Sequence, residues 1–293
     1  MKLQVIEPMT YISPSSFMAW ENCEYFTYLN KLADLERLPQ YTSRAAAVGI
    51  IFDALVKRRI ADELGIEGAQ LDVRRIVNEI KTDDLPKCVE VATEVAKRYI
   101  KLNLHARLLN ATELTLQQTI YTNIGGVPIL GKLDACIDGI VFDWKLKGFA
   151  RDTGTASLTP GYHKRTHFEH GIQPPHGDRK SLWMSNRKWA IQVIFYNWLK
   201  WCSPAEYIIH EIANTKAGIV MVELKGEINK DHSTEIFKRV DAMWTNVNGL
   251  DAEIADPTPT KYKCEQYGTV CRQAINCKKY MEGLGNKQVR EML

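Results

Sequence analysis

Residues 131–148 read "GKLDACIDGIVFDWKLKG". Asp138-Gly139 sits between two alternating hydrophobic runs, the signal of a hairpin closed by a two-residue type I′ turn, whose central positions both need positive φ. The turn sets the register. With Ile137 facing Ile140, Cys136 faces Val141, Ala135 faces Phe142 and Asp134 faces Asp143. Opposed Cβ atoms in such a ladder lie about 4.5–5.5 Å apart, close enough for two carboxylates to destabilise the pair unless a cation lies between them. Lys145 shares the face of Asp143, and Phe142, Trp144 and Leu146 take the opposite, buried face. The hairpin therefore gathers two acids and a lysine.

A chain of 293 residues, 45% hydrophobic, can bury a substantial core as one large domain or two small ones. Residues 1–16 lack the apolar centre of a signal peptide, and the longest apolar run, 45–52, stops at Asp53, well short of the roughly 20 residues a membrane span needs. A soluble, cytoplasmic protein without a membrane partner is expected. The net charge of +3 does not by itself point to nucleic acid. Its distribution is more informative. Residues 147–188 hold eight Lys or Arg against three Asp or Glu, with three prolines and the histidines His163, His167, His170 and His176. Irregular segments longer than about 12–15 residues are usually functional or disordered, so this one reads as a basic flap following Lys145, its histidines solvated or touching phosphate.

Seven cysteines in a cytosolic chain are free thiols or metal ligands sooner than disulfides. Cys88, Cys136 and Cys202 are isolated in helical or strand patterns and read as buried small hydrophobes. Cys264, Cys271 and Cys277, in the polar tail "CEQYGTVCRQAINC", look like ligands one thiolate short of a four-ligand site.

Helices are predicted over 17–35, carrying Cys23, over 43–65 with Gly65 as its stop, and over 85–102. Strands follow at 115–123, 127–137 and 140–147, then a helix at 186–202, strands at 206–214 and 218–229, and a last helix at 233–247. The acid-x-Lys triplet Asp143-Trp-Lys145 has two rivals, Glu79-Ile-Lys81 and Glu223-Leu-Lys225. What singles it out is Asp134 one strand earlier and, beyond the flap, Gln192 and Tyr196 four apart on one helical face.

In that order these residues resemble the PD-(D/E)XK nuclease superfamily, in its RecB-type branch. Asp134 matches the first acid, Asp143-Trp-Lys145 the acid-x-Lys, and Gln192-x3-Tyr196 the Gln-x3-Tyr motif; Gly49-x3-Asp53 stands where the branch often has Gly-x3-His. The resemblance implies a mixed α/β, restriction-endonuclease-like core, a central mixed sheet flanked by helices, within one nuclease domain over 1–293. Its parts would be a helical region over 1–110, the core over 111–230 with the flap at 147–188, and a helix and cysteine tail over 231–293.

It further implies metal-assisted hydrolysis of DNA phosphodiesters by an exonuclease or end-processing enzyme of recombination, repair or phage DNA metabolism, in a bacterial cell or phage-infected host. Asp53, Asp134 and Asp143 would hold Mg²⁺ or Mn²⁺, Lys145 would act on the attacking water, and Gln192 and Tyr196 would position DNA, joined by Lys147, Lys164, Arg165, Arg179 and Lys180. Relatives in the branch hold a [4Fe-4S] cluster with one N-terminal and three C-terminal cysteines, which makes Cys23 the fourth ligand beside Cys264, Cys271 and Cys277. Linear or single-stranded DNA ends, further copies of the chain, and a recombination or annealing protein are the partners such an enzyme would take. The rival reading is a catalytically silent nucleic-acid-binding protein with structural zinc or iron-sulfur in its tail.

Overall fold

The computed structural model describes residues 9–29, 42–66, 72–159, 182–200, 206–249, 265–266, 269–271 and 277. The chain divides into two compact units. One comprises Met1–Gln40, Tyr121–Gly131 and Lys230–Leu293, the other Tyr41–Ile120 and Lys132–Asn229.

In the first unit, helix α1 (Pro14–Asn22) starts at a capping box. Ser13 Oγ accepts from Ser16 N at 3.1 Å, while Ser13 N donates to Ser16 Oγ at 2.8 Å, and Pro14 fills the first turn, where its missing N–H costs nothing. The helix predicted to run unbroken past Cys23 does not. Cys23 is extended, with φ −160° and ψ 106°, and caps α1 with its N–H donating to Ala19 O; α2 (Glu24–Leu29) begins anew beyond it. Helix α9 (Lys230–Gly249) packs on α1, where Arg239 pairs with Glu21 at 2.6 Å. Two short strands, β6 (Glu265–Gln266) and β7 (Thr269–Val270), pair antiparallel.

In the second unit, α3 (Arg44–Leu64) is capped by Ser43 Oγ, which accepts from Ala46 N, and stops where Gly65 takes φ 67°, a left-handed conformation that favours glycine. Helix α4 (Val73–Glu79), absent from the sequence-based expectation, is a short turn with no buried residue, set up by the Asp72 carboxylate accepting from Arg74 N and Arg75 N. Helix α5 (Leu85–Lys101) packs on α3, and the four-residue α6 (Ala106–Leu109) follows.

Strands β1 (Leu114–Ile124), β2 (Val127–Ile137), β3 (Ile140–Lys147), β4 (Glu206–Thr215) and β5 (Gly218–Glu227) form one sheet in that order. Asp138 and Gly139 both take positive φ, 49° and 82°, and the register runs Ile137↔Ile140, Cys136↔Val141, Ala135↔Phe142, as the turn requires. β3 and β4 are parallel, so the chain must cross over between them; the crossover contains α7 (Leu182–Ser185) and α8 (Arg187–Lys200). β4 and β5 are again antiparallel.

The core explains this layering. Phe142, Trp144, Ile208 and Ile212 on one sheet face pack with Phe52, Val56 and Ile60 of α3 and Val95 and Tyr99 of α5. Tyr207 and Ile209, on the other face, pack with Ala190 and Val193 of α8. The result is the mixed α/β core expected from the sequence: a five-stranded mixed sheet with helices on both faces. No helix among the described residues is long and apolar enough to cross a membrane. Cys88 and Cys136 are buried as small hydrophobes.

Candidate active site

The site belongs wholly to the second unit. Asp134 and Asp143 adjoin Ala135↔Phe142, the outermost pair of the β2–β3 ladder, and their carboxyls lie within hydrogen-bonding reach of each other. Asp143 is fully buried, and Lys145 Nζ stands 2.5 Å from its Oδ2 as an ion pair. Neither Asp143 oxygen receives a hydrogen bond of ordinary geometry, nor does Asp53 Oδ1.

Asp53 reaches the same place from α3. Four residues on, on the same helical face, Lys57 places its ammonium 2.6 Å from Asp53 Oδ2 and 2.7 Å from Asp134 Oδ1. The residues read from sequence as a metal-binding triad, with Lys145, are thus brought together, and Lys57 joins them. Its signal was present as Asp53-x3-Lys57, a spacing common enough on solvated helices to pass unnoticed.

Burial pushes the Asp143 carboxyl well above the usual carboxylate range; Lys145 opposes this and the charge of Asp134 adds to it. For Asp134 burial acts upward too, but Lys57, the contact with Asp143, and Lys145 hold it at about 2. Burial, then the Asp134 charge, raises Asp53 to about 6 against the pull of Lys57. The Lys57 ammonium is disfavoured by burial, yet Asp53 and Asp134 outweigh that and keep it charged. Carboxylates gathered this closely mark a place that attracts cations.

Whether these residues suit a divalent metal turns on their oxygens. All three acids offer hard carboxylate donors, and three buried oxygens lack a hydrogen-bond donor, so the donor set fits Mg²⁺ or Mn²⁺. Among the described residues, however, no three His, Cys, Asp or Glu side chains close around one point. The Lys57 ammonium instead bridges Asp53 and Asp134.

On α8, Gln192 Nε2 donates to Tyr196 Oη at 2.6 Å. Tyr196 is buried, and its hydroxyl is held in the protonated form chiefly by burial and then by the charges of Asp143 and Asp134. Lys147 is turned elsewhere. It pairs with the fully buried Glu211 at 2.5 Å, lies 5.3 Å from the centre of the Trp189 ring, and donates to Thr159 Oγ1. Glu211, beside Lys145 in the β3–β4 register, also accepts from Thr159 N, which ties the start of the flap to the sheet. Sequence reasoning missed Glu211, whose strand shows no polar alternation to flag it.

Lys164, Arg165, Arg179, Lys180 and Cys264 lie outside the described residues. Cys23 sits at the α1–α2 junction, and Cys271 and Cys277 belong to the same compact unit as Cys23.

No family model matches the chain, and no curated protein matches it. Among solved structures, it is similar to a protein from Eubacterium rectale named as a candidate exonuclease, with 14% identity over 86% of this chain and 85% of that one, at a TM-score of 0.54. A second structure, SSO0001, aligns over 90% of this chain and 96% of its own, at 14% identity and a TM-score of 0.31, too low to carry an argument. The first likeness shows a shared fold.

Proposed function

We propose that the chain is a Mg²⁺- or Mn²⁺-dependent deoxyribonuclease that processes DNA ends in recombination, repair or phage DNA metabolism. The observation that carries this reading is the Asp134–Asp143 pair, with Asp143 fully buried and Lys145 2.5 Å from it, on a sheet flanked by helices. The name given to the structurally similar Eubacterium rectale protein, a candidate exonuclease, agrees with it. When bound, the metal would polarise the scissile phosphate and lower the pKa of a water.

The protein's own part follows from its geometry. Asp53, Asp134 and Asp143 offer the ligand oxygens. Lys145 stands beside Asp143, where an ammonium can orient the attacking water and offset charge developing on the phosphate oxygens. Gln192 and Tyr196 form a hydrogen-bonded pair, within electrostatic range of Asp143 and Asp134, that can hold a DNA strand in place. Cation–aromatic stacks of Lys147 on Trp189 and Arg187 on Trp183 suit phosphates and stacked bases. We assign Cys23, Cys264, Cys271 and Cys277 to a structural [4Fe-4S] cluster, a reading supported by the placement of Cys23, Cys271 and Cys277 in one compact unit.

Protein purified without oxygen is to be incubated with end-labelled linear DNA and with closed circular DNA, each with Mg²⁺ or Mn²⁺. Degradation of the linear DNA is the expected result. No cleavage of either substrate with either metal would replace the enzyme by the silent DNA-binding protein.

A further inference from the structure

An acid and a lysine four apart on a helix normally form a solvated pair. Lys57 does not fit that description. Its side chain is only 1% exposed, and its ammonium contacts two carboxylates, the second 77 residues away on β2. It also lies 5.7 Å from the centre of the Trp144 ring. A charge this deeply enclosed is stable only while fully paired, so the ammonium cannot withdraw without becoming an uncompensated buried ion. α3 fixes one end of the side chain, and the core formed by Phe52, Val56 and Ile60 on the same helix surrounds that attachment.

The consequence is a division of the carboxylate oxygens. Asp53 Oδ2 and Asp134 Oδ1 are committed to Lys57, whereas Asp53 Oδ1 and Asp143 Oδ1 have no hydrogen-bond donor and Asp143 Oδ2 meets only the Lys145 ammonium. Charge points the same way. Three carboxylates against Lys57 and Lys145 leave one negative charge; one divalent cation turns this into one positive charge, which a single phosphodiester neutralises. A second divalent cation would leave three positive charges in an enclosed site.

We propose that Lys57 is a resident cation of the active site, fixed where a second metal ion would otherwise bind, so that each chain takes one divalent cation. Lys57 is a positioning residue that ties Asp53 on α3 to Asp134 on β2, leaving the orphan oxygens for the metal. The inference rests on the nuclease reading of the site.

Mn²⁺ binding to the full chain, followed by calorimetry and by the paramagnetic resonance of the free ion, tests it. Wild type is expected to bind one Mn²⁺ at the site, and Asp143→Asn none there. Lys57→Met is expected to melt at a lower temperature without metal, to recover on addition of Mn²⁺, and to bind a second Mn²⁺. Two Mn²⁺ lost together in Asp143→Asn would overturn the proposal from wild type alone, as would Lys57→Met with unchanged stoichiometry and affinity. Wild type with no Mn²⁺ sensitive to Asp143→Asn would instead overturn the nuclease reading on which the proposal stands.

Discussion

Trp144, the residue between Asp143 and Lys145, donates its indole N–H to the Tyr99 hydroxyl at 3.1 Å. The connection continues. Tyr99 Oη lies 2.5 Å from His210 Nδ1, and His210 Nε2 lies 3.0 Å from Glu223 Oε2, with Lys225 and Arg107 flanking that carboxylate. These partners assign a neutral imidazole with its proton on Nε2, donating to Glu223, and with Nδ1 accepting from Tyr99. The chain of bonds holds β3 from the face opposite Asp143 and Lys145. Glu223-Leu-Lys225, the rival triplet, forms its outer end.

Tyr99→Phe removes the hydroxyl and leaves Trp144 Nε1 and His210 Nδ1 without that partner. An unsatisfied buried polar group costs about 1–3 kcal/mol, so the unfolding free energy should fall by an amount in that range or above it, and the denaturation midpoint with it. Equilibrium urea unfolding checks this, and an unchanged midpoint would show that the network contributes nothing.

Stability should also respond to acid. His210 is held below its ordinary value by burial, against the pull of Glu223. Burial pushes Glu223 up, but its bonds with His210 and Lys225 bring it down to about 2. The unfolded chain therefore takes up protons near pH 6.5 and 4.5 that the folded network refuses, so this stabilisation is complete above pH 6.5 and is lost progressively towards pH 2. Asp53 and Asp143, held above their ordinary value, contribute with the opposite sign in any variant of Glu223. The difference in unfolding free energy between wild type and Glu223→Gln isolates the one carboxyl. It should shrink as pH falls from 4.5 towards 2, and a constant difference would contradict the network.

If Cys23, Cys264, Cys271 and Cys277 hold a [4Fe-4S] cluster, protein purified without oxygen will be brown and carry about four irons per chain, the content of that cluster type. Changing any one of the four to alanine should bleach it and lower the melting temperature, because metal-site binding energy becomes folding energy. Cys88→Ala should leave the colour. One zinc and no iron would identify a structural zinc site, and full colour in Cys23→Ala would break the link between the two ends of the chain.

How far the sequence could be read depended on the range of the signal. The β2–β3 hairpin was legible because Asp138-Gly139 fixes both turn and register locally, and α3 because Ser43 and Gly65 mark its ends. The break at Cys23 was not, since apolar residues continue on both sides of it and only the backbone conformation interrupts the helix. Asp134, Asp143 and Lys145 were found through register. Lys57, Glu211 and the Tyr99–His210–Glu223 chain were hidden because each draws its meaning from a partner distant in sequence, up to 111 residues away for Tyr99 and His210. A buried charge looks like any other charge until its partner is placed.

The most direct measurement is cleavage of end-labelled linear DNA with Mn²⁺ by wild type, Asp143→Asn, Lys145→Ala and Lys225→Ala. A positioned acid–base group contributes about 10²–10⁴-fold to such a reaction, so Lys145→Ala should lose at least the lower of these and Asp143→Asn should fall to background. Both should still fold and bind DNA, and Lys225→Ala, in the exposed end of the rival triplet, should cleave as wild type does. Wild-type cleavage by both Asp143→Asn and Lys145→Ala would place the chemistry elsewhere and contradict the account.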